Sequence, residues 1–178
     1  ERMKKRPIKI LVDSLNKLGA KIYYLEKKGY PPITIKNKIS QVSNSISVKG
    51  NISSQYISSL LMISPLLPQG LTINIDGPFY SKPYVMMTLH LMKKFGIKFK
   101  MSNNIISVVN QEYKGGLHVI EPDWSAASYW YSIISINKNI DSITLNSLKK
   151  ESLQGDSIIA KIMNLFNVNT EYHDNKII

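Results

Sequence analysis

An internal repeat limits what this chain can fold into more than its composition does. Met92-Lys-Lys-Phe95-Gly-Ile97 stands 71 positions (163 − 92) ahead of Met163-Asn-Leu-Phe166-Asn-Val168, and each closes a stretch with helical apolar spacing. Each is then followed by a hairpin signal: Ser102-Asn-Asn104 leads into Ile105-Ile-Ser-Val108, and His173-Asp-Asn175 leads into Lys176-Ile-Ile178. Upstream, serines lead the helix starts, Ser53-Ser54 in one copy and Ser125 in the other. A partial earlier copy reads Leu11-Val-Asp-Ser-Leu15-Asn-Lys-Leu18-Gly-Ala20-Lys-Ile22, again with a glycine after the last helical turn. Self-similarity at this period gives roughly two and a half copies of one supersecondary unit.

Within the complete copy, a β-branched run at 46–48 precedes a helix over 53–66, a strand near 71–75, a helix over 82–95 and a closing antiparallel hairpin. The order is β-α-β-α-β-β. Such alternation predicts an α/β (α+β) fold of repeated units, with the helices packed in a common core and the sheets facing outward.

The 178 residues, 43% apolar, are enough to bury a substantial core. Glu1–Arg6 leads into an amphipathic pattern rather than a secretory leader, and the start on Glu1 predicts that residues precede it. The longest apolar stretch, 56–67, is broken by paired serines and Pro65 and falls short of the roughly 20 residues that span a bilayer, so no membrane partner is expected. The chain has no cysteine, which excludes disulfides, thiolate metal sites and a cysteine nucleophile; His90, His118 and His173 show no metal-ligand spacing. A cytoplasmic protein fits these features.

A formal charge of +11 points to anionic partners: nucleic acid, an acidic membrane, or small phosphorylated and carboxylated molecules. Basic residues do not interleave with aromatics along one strand set as a nucleic-acid stacking platform requires, so no nucleic acid is expected. Most of the lysines read as a solvated face. Only Arg2 and Arg6 are arginine.

The ordered series Arg6-Pro7, Tyr30-Pro31-Pro32, Gly50-Asn-Ile-Ser53-Ser54-Gln55-Tyr56, Ser81-Lys82-Pro83-Tyr84 and Asp123-Trp-Ser125-Ala-Ala-Ser128-Tyr129 resembles the 5-enolpyruvylshikimate-3-phosphate synthase family over nearly the whole chain. Each motif is weak alone; the series at these spacings is specific. The resemblance implies a two-domain enzyme, each domain made of three β-α-β-α-β-β units. It also implies transfer of the carboxyvinyl group of phosphoenolpyruvate to the 5-hydroxyl of shikimate 3-phosphate through a tetrahedral addition intermediate. No metal or organic cofactor is implied, and a monomer is expected. Residues 1–153 would form most of the phosphoshikimate-binding domain. Residues 154–178, opening on the stretch that includes Leu153-Gln-Gly155-Asp156, would continue the last repeat and pass through a hinge toward the second domain.

Two roles stay open for each candidate side chain until the resemblance is applied. Ser53, Ser54 and Gln55 open a helix, where Ser53 can cap or the free N–H groups can take an anion. Ser81 opens the next helix, with Pro83 suited to its first turn, and can likewise cap or bind. Tyr84 alone reads as a half-buried aromatic, and Arg6 as a surface arginine whose planar fork also suits a carboxylate or phosphate. The resemblance implies that Ser53, Ser54 and Ser81 bind the phosphate of shikimate 3-phosphate, that Gln55 and Tyr84 meet its ring, and that Arg6 and Gln55 meet phosphoenolpyruvate, with Pro7 fixing the start of the following helix. Asp123, Ser125 and Ser128 read as capping residues. The family's glycine-rich and lysine-serine phosphate segment, and the acidic and lysine groups that handle protons, are not among these residues, so no catalytic acid or base is assigned and turnover by this chain alone is not expected. The rival within the fold is the enolpyruvyl transferase acting on UDP-N-acetylglucosamine. The rival from another class is a basic nucleic-acid-binding module.

Overall fold

In the computed structural model, which describes residues 1–178, the chain runs α1 (Lys9–Lys17), β1 (Ile22–Tyr24), β2 (Ile33–Ile35), β3 (Ser45–Lys49), α2 (Ser54–Ile63), β4 (Leu71–Asp76), α3 (Lys82–Lys94), β5 (Phe99–Ser102), β6 (Ile105–Val108), α4 (Trp124–Ile136), β7 (Leu145–Asn146), α5 (Ile159–Asn164), β8 (Tyr172–His173) and β9 (Lys176–Ile177). Short 3-10 turns lie at Met3–Lys5, Ser64–Leu66 and Gly155–Ile158. Contacts divide the chain into two units, Glu1–Gly115 and Gly116–Ile178, and residues 154–178 fall within the second.

In the first unit the period-two pattern of the strands sets which face is buried. Ile46 and Val48 of β3, Leu71, Ile73 and Ile75 of β4, and Ile106 and Val108 of β6 point inward. The alternate positions, such as Ser45, Asn74, Thr72 and Ser107, pair through their side chains on the outer face. The sheet order is β3-β4-β6-β5, parallel between β3 and β4 and antiparallel elsewhere. Ile57, Leu60 and Leu61 of α2 and Val85, Leu89 and Met92 of α3 cover the inner face, joined by Leu11, Leu15 and Leu18 from the end of the preceding partial copy. The helices therefore share a core and the polar sheet face looks out, as the repeat predicts.

The helix expected over 53–66 stops at Ile63 and tightens into the 3-10 turn. Pro65 has no N–H for the Leu61 carbonyl; the Ser64 hydroxyl donates to that oxygen instead, at 2.6 Å.

From its first helix onward the second unit repeats the same order, with shorter strands and a shorter second helix. Its sheet, β7-β9-β8, is antiparallel throughout and corresponds to β4-β6-β5. Trp124, Ala127, Tyr131, Leu148, Ala160 and Ile177 form its core. Burial raises the Tyr131 phenol above its ordinary pKa, partly opposed by a hydrogen bond to Thr170. No strand corresponding to β3 precedes α4: residues 116–123 carry no regular structure. This departs from the expectation of a full third copy. Gly115-Gly116 and Pro122 frame the segment, and both residue types weaken a ladder. The helix start also differs in detail, since the N-cap of α4 is Asp123 and Ser125 is its second residue.

The repeat is clearest where helices end. After α1, α3 and α5 the residue in the left-handed region is Gly19 (φ 109°), Gly96 (φ 85°) and Asn167 (φ 60°). Each end closes with the same pair of hydrogen bonds: Gly19 N–H to Asn16 and Ala20 N–H to Leu15, Gly96 to Lys93 and Ile97 to Met92, Asn167 to Asn164 and Val168 to Met163. This is the Schellman arrangement, which satisfies the last carbonyls of a helix and turns the chain into the following hairpin.

Gly19 carries two constraints, because a Cβ there would also sit 1.9 Å from the Ser40 carbonyl oxygen. Gly77 (φ 77°) carries one, with nothing within 4 Å of its Cβ position. Gly19→Ala should therefore cost about 3 kcal/mol or more in urea unfolding followed by circular dichroism, and Gly77→Ala about 1 kcal/mol. Equal costs would show that the Ser40 contact relaxes away.

Candidate anion-binding site

The parallel pairing of β3 with β4 places two helix starts side by side. Lys49 is opposite Asp76 at the ends of the two strands. The Gly50 N–H donates to the Asp76 carbonyl at 2.8 Å. A Cβ on Gly50 would lie 2.3 Å from the Pro78 carbonyl oxygen, so the two turns interlock. The helices that follow, α2 and α3, pack together, with a 2.8 Å hydrogen bond between the Ser58 and Thr88 hydroxyls. Two helix starts, each with a positive dipole end, thus share the carboxyl edge of the parallel strands, the place where open α/β sheets take ligands.

Ser53 occupies the N-cap of α2, but its hydroxyl accepts the Gln55 N–H at a long 3.4 Å. Ser53 and Gln55 are exposed and Ser54 is half-buried. The Ser54 hydroxyl and the Gln55 side-chain amide make no hydrogen bond within the chain. Ser81 precedes α3 without capping it, and its Oγ is covered and has no partner. A covered hydroxyl left unpaired is costly, on the order of 1–3 kcal/mol. Pro83 lies in the first turn of α3, and Tyr84, one residue on, is 42% exposed, which rules out a core role.

Arg6 follows the turn Met3–Lys5, is exposed, and forms no hydrogen bond or ion pair through its guanidinium. Pro7 does not begin the following helix: α1 starts at Lys9 with Ile8 as N-cap. The Pro7 carbonyl instead accepts a hydrogen bond from the Tyr56 hydroxyl, in the first turn of α2. The first unit therefore gathers Ser53, Ser54, Gln55, Ser81 and Tyr84 at one edge and ties the Arg6-Pro7 stretch to it. Neither the Tyr56 bond nor its partner is signalled by periodicity, because the two residues stand 49 positions apart.

The start of α4 is built differently. Asp123 accepts the Ser125 N–H at 2.8 Å, Gln154 accepts the Trp124 N–H at 2.9 Å, and Asp156 accepts the Ser125 hydroxyl at 2.8 Å. Ser128 donates to the Ser125 carbonyl. Glu121 accepts from the Trp124 indole, the Lys149 N–H, the Ser152 hydroxyl and the Gln154 amide. Carboxylates already occupy this helix end, where the N-cap is Asp123, whereas the N-caps of α2 and α3 are Ser53 and Ser81. Charge divides the same way. The first unit holds 18 basic and 5 acidic residues, net +13, and the second 5 basic and 7 acidic, net −2. His90 bonds the Met86 carbonyl of its own helix and takes no part in the edge.

Comparison with known proteins follows the same lines. The family model for EPSP synthase (3-phosphoshikimate 1-carboxyvinyltransferase) matches residues 1–178. The chain belongs to the EPSP synthase family. It is 45% identical over 173 residues to the 3-phosphoshikimate 1-carboxyvinyltransferase of Bacteroides fragilis, covering 97% of this chain and 42% of that protein. It is 38% identical over 179 residues to the protein of the same name from Colwellia psychrerythraea, covering 99% and 41%. The chain thus spans about two fifths of the length of these relatives. An EPSP synthase structure from Acinetobacter baumannii shares the fold at a TM-score of 0.70 and 19% identity, over 98% of this chain and 39% of that one. No helix is long and apolar enough to cross a membrane.

Removing Glu121 leaves the Trp124 indole, the Lys149 N–H and the Ser152 hydroxyl without their acceptor, while the Gln154 amide keeps the Pro122 carbonyl. Glu121→Ala should destabilise the second unit by about 2 kcal/mol or more, against about 1 kcal/mol for the cap variant Asp123→Ala. Denaturant titration followed by the fluorescence of buried Trp124 reads the difference, and equal losses would mean that the Glu121 bonds contribute little.

Proposed function

We propose that the edge formed by Ser53, Ser54, Gln55, Ser81 and Tyr84 binds shikimate 3-phosphate, and that Arg6, with Gln55, faces phosphoenolpyruvate. The complete protein would then transfer the carboxyvinyl group of phosphoenolpyruvate to the 5-hydroxyl of shikimate 3-phosphate, a step toward aromatic amino acids. The observation that carries this reading is the pair of helix starts at one strand edge, with no acidic residue in the first turn of either helix and with hydroxyls that have weak or no internal partners, in a chain of this family. Helix N–H groups and serine hydroxyls suit a phosphate; an unpaired guanidinium suits a carboxylate or a second phosphate. The net +13 of the first unit would draw such dianions in, more strongly at low salt.

The reaction makes and breaks its bonds at the enol carbon. The 5-hydroxyl oxygen adds there and gives up its proton while the methylene carbon gains one; the bond to the phosphate oxygen then breaks as that methyl group returns a proton, restoring the double bond. This chain's residues hold the two anions so that the hydroxyl and the enol carbon meet. The proton-transferring groups are not assigned to it, and no cofactor is required by the scheme. We further propose that residues 154–178 complete the last repeat and lead into a hinge, and that the protein works as a cytoplasmic monomer on small molecules, without binding nucleic acid.

Kinetics of variants in the complete enzyme test the assignment. Ser53→Ala with Ser54→Ala should raise KM for shikimate 3-phosphate tenfold or more with a smaller effect on phosphoenolpyruvate, and Arg6→Ala should do the reverse, since each removes bonds to a charged group worth about 1.5–3 kcal/mol. Equal effects on both substrates would contradict the division of roles. Purified alone, the present chain should form no product.

A further inference from the structure

We propose that Tyr56 is a positioning residue that holds Arg6 in place for phosphoenolpyruvate; the inference rests on the reading of Arg6 given above. Arg6 stands on an exposed stretch ahead of α1 whose other ties do not reach the binding edge. The turn bonds, Lys5 N–H to Arg2 and Arg6 N–H to Met3, are local. The Ile8 N–H bonds Gly29 at 2.8 Å in the β1–β2 connection. The Lys4–Glu26 ion pair, at 2.6 Å, is more than half exposed on both sides and therefore weak. The one hydrogen bond that joins this stretch to the helix carrying Ser53, Ser54 and Gln55 runs from the Tyr56 hydroxyl to the Pro7 carbonyl.

Both ends of that bond are stiff. Tyr56 is the third residue of α2, directly after Gln55, so its ring leaves a fixed backbone with two side-chain torsions. Pro7 has its φ locked by the ring, so holding its carbonyl limits the direction from which Arg6 departs. Tyr56 is half-exposed and lies outside the hydrophobic core of the unit, so packing alone does not account for its hydroxyl. Without the bond the Arg6 stretch would have to become ordered when phosphoenolpyruvate binds, and that ordering would appear as lost affinity for this substrate only.

The test is Tyr56→Phe in the complete enzyme, which keeps the ring and removes the hydroxyl, measured beside Arg6→Ala. The expected result is a roughly three- to tenfold rise in KM for phosphoenolpyruvate, the range set by losing one hydrogen bond. KM for shikimate 3-phosphate and the melting temperature should stay close to wild type. In the double variant Tyr56→Phe/Arg6→Ala the added effect of Tyr56→Phe should vanish, because Tyr56 acts through Arg6. If Arg6→Ala raises KM for phosphoenolpyruvate and Tyr56→Phe does not, or Tyr56→Phe raises both KM values alike, the positioning role is overturned while the Arg6 reading stands. If Arg6→Ala leaves phosphoenolpyruvate unaffected, the underlying reading fails and the inference with it.

Discussion

The register of β3 against β4 is the constraint on which the rest of the first unit depends. Because the strands are parallel and end together at Lys49 and Asp76, the chain must leave the same edge twice, and each time it enters a helix. The glycine at position 50 lets the first turn lie against the second, where a Cβ would collide with the Pro78 carbonyl. Core packing of Ile57, Leu60 and Leu61 with Val85, Leu89 and Met92 then holds the two helices together. A shift of one residue would turn Ile46 and Val48 outward and separate the helix starts together.

Electrostatics distinguishes one helix start from another. Asp123 and Asp156 fill the end of α4, with Glu121 anchoring the adjoining chain, so that end is closed by the protein's own carboxylates. The starts of α2 and α3 are left with a long serine cap and an unpaired serine hydroxyl. Helix ends of similar sequence pattern thus have opposite characters, and the difference comes from residues such as Gln154 and Asp156, about 30 positions away in the chain. A dianion placed at the first edge meets free donors and a unit of net charge +13.

Much of this architecture is legible in the sequence. Helical spacing with glycine after Leu18 and Phe95, and asparagine after Phe166, marked three helix ends, and all three adopt the same cap because only a residue tolerant of positive φ can occupy it. The order of elements in the complete copy followed from the switch between period two and period 3.6. The shortened third copy did not, since Leu117, Val119 and Ile120 have strand-like composition yet remain exposed without a ladder. Ser125 looked like a helix leader, but Asp123 makes the cap. The candidate binding residues were placed by motif and resemblance. Their distinguishing property, whether each hydroxyl is already partnered, depends on contacts between segments far apart in sequence, as do the Tyr56–Pro7 bond and the Glu121 network.

On the proposal above, the first unit alone forms this edge and takes a phosphate through Ser53, Ser54 and Ser81. Thermal melting of the chain with and without millimolar shikimate 3-phosphate tests it most directly, because a ligand that binds only the folded state raises its apparent stability. The expected result is a rise of a few degrees, roughly that for ligand at about ten times its Kd, and its loss when the three serines are replaced by alanine. No rise at millimolar ligand, or the same rise in the triple variant, would contradict it.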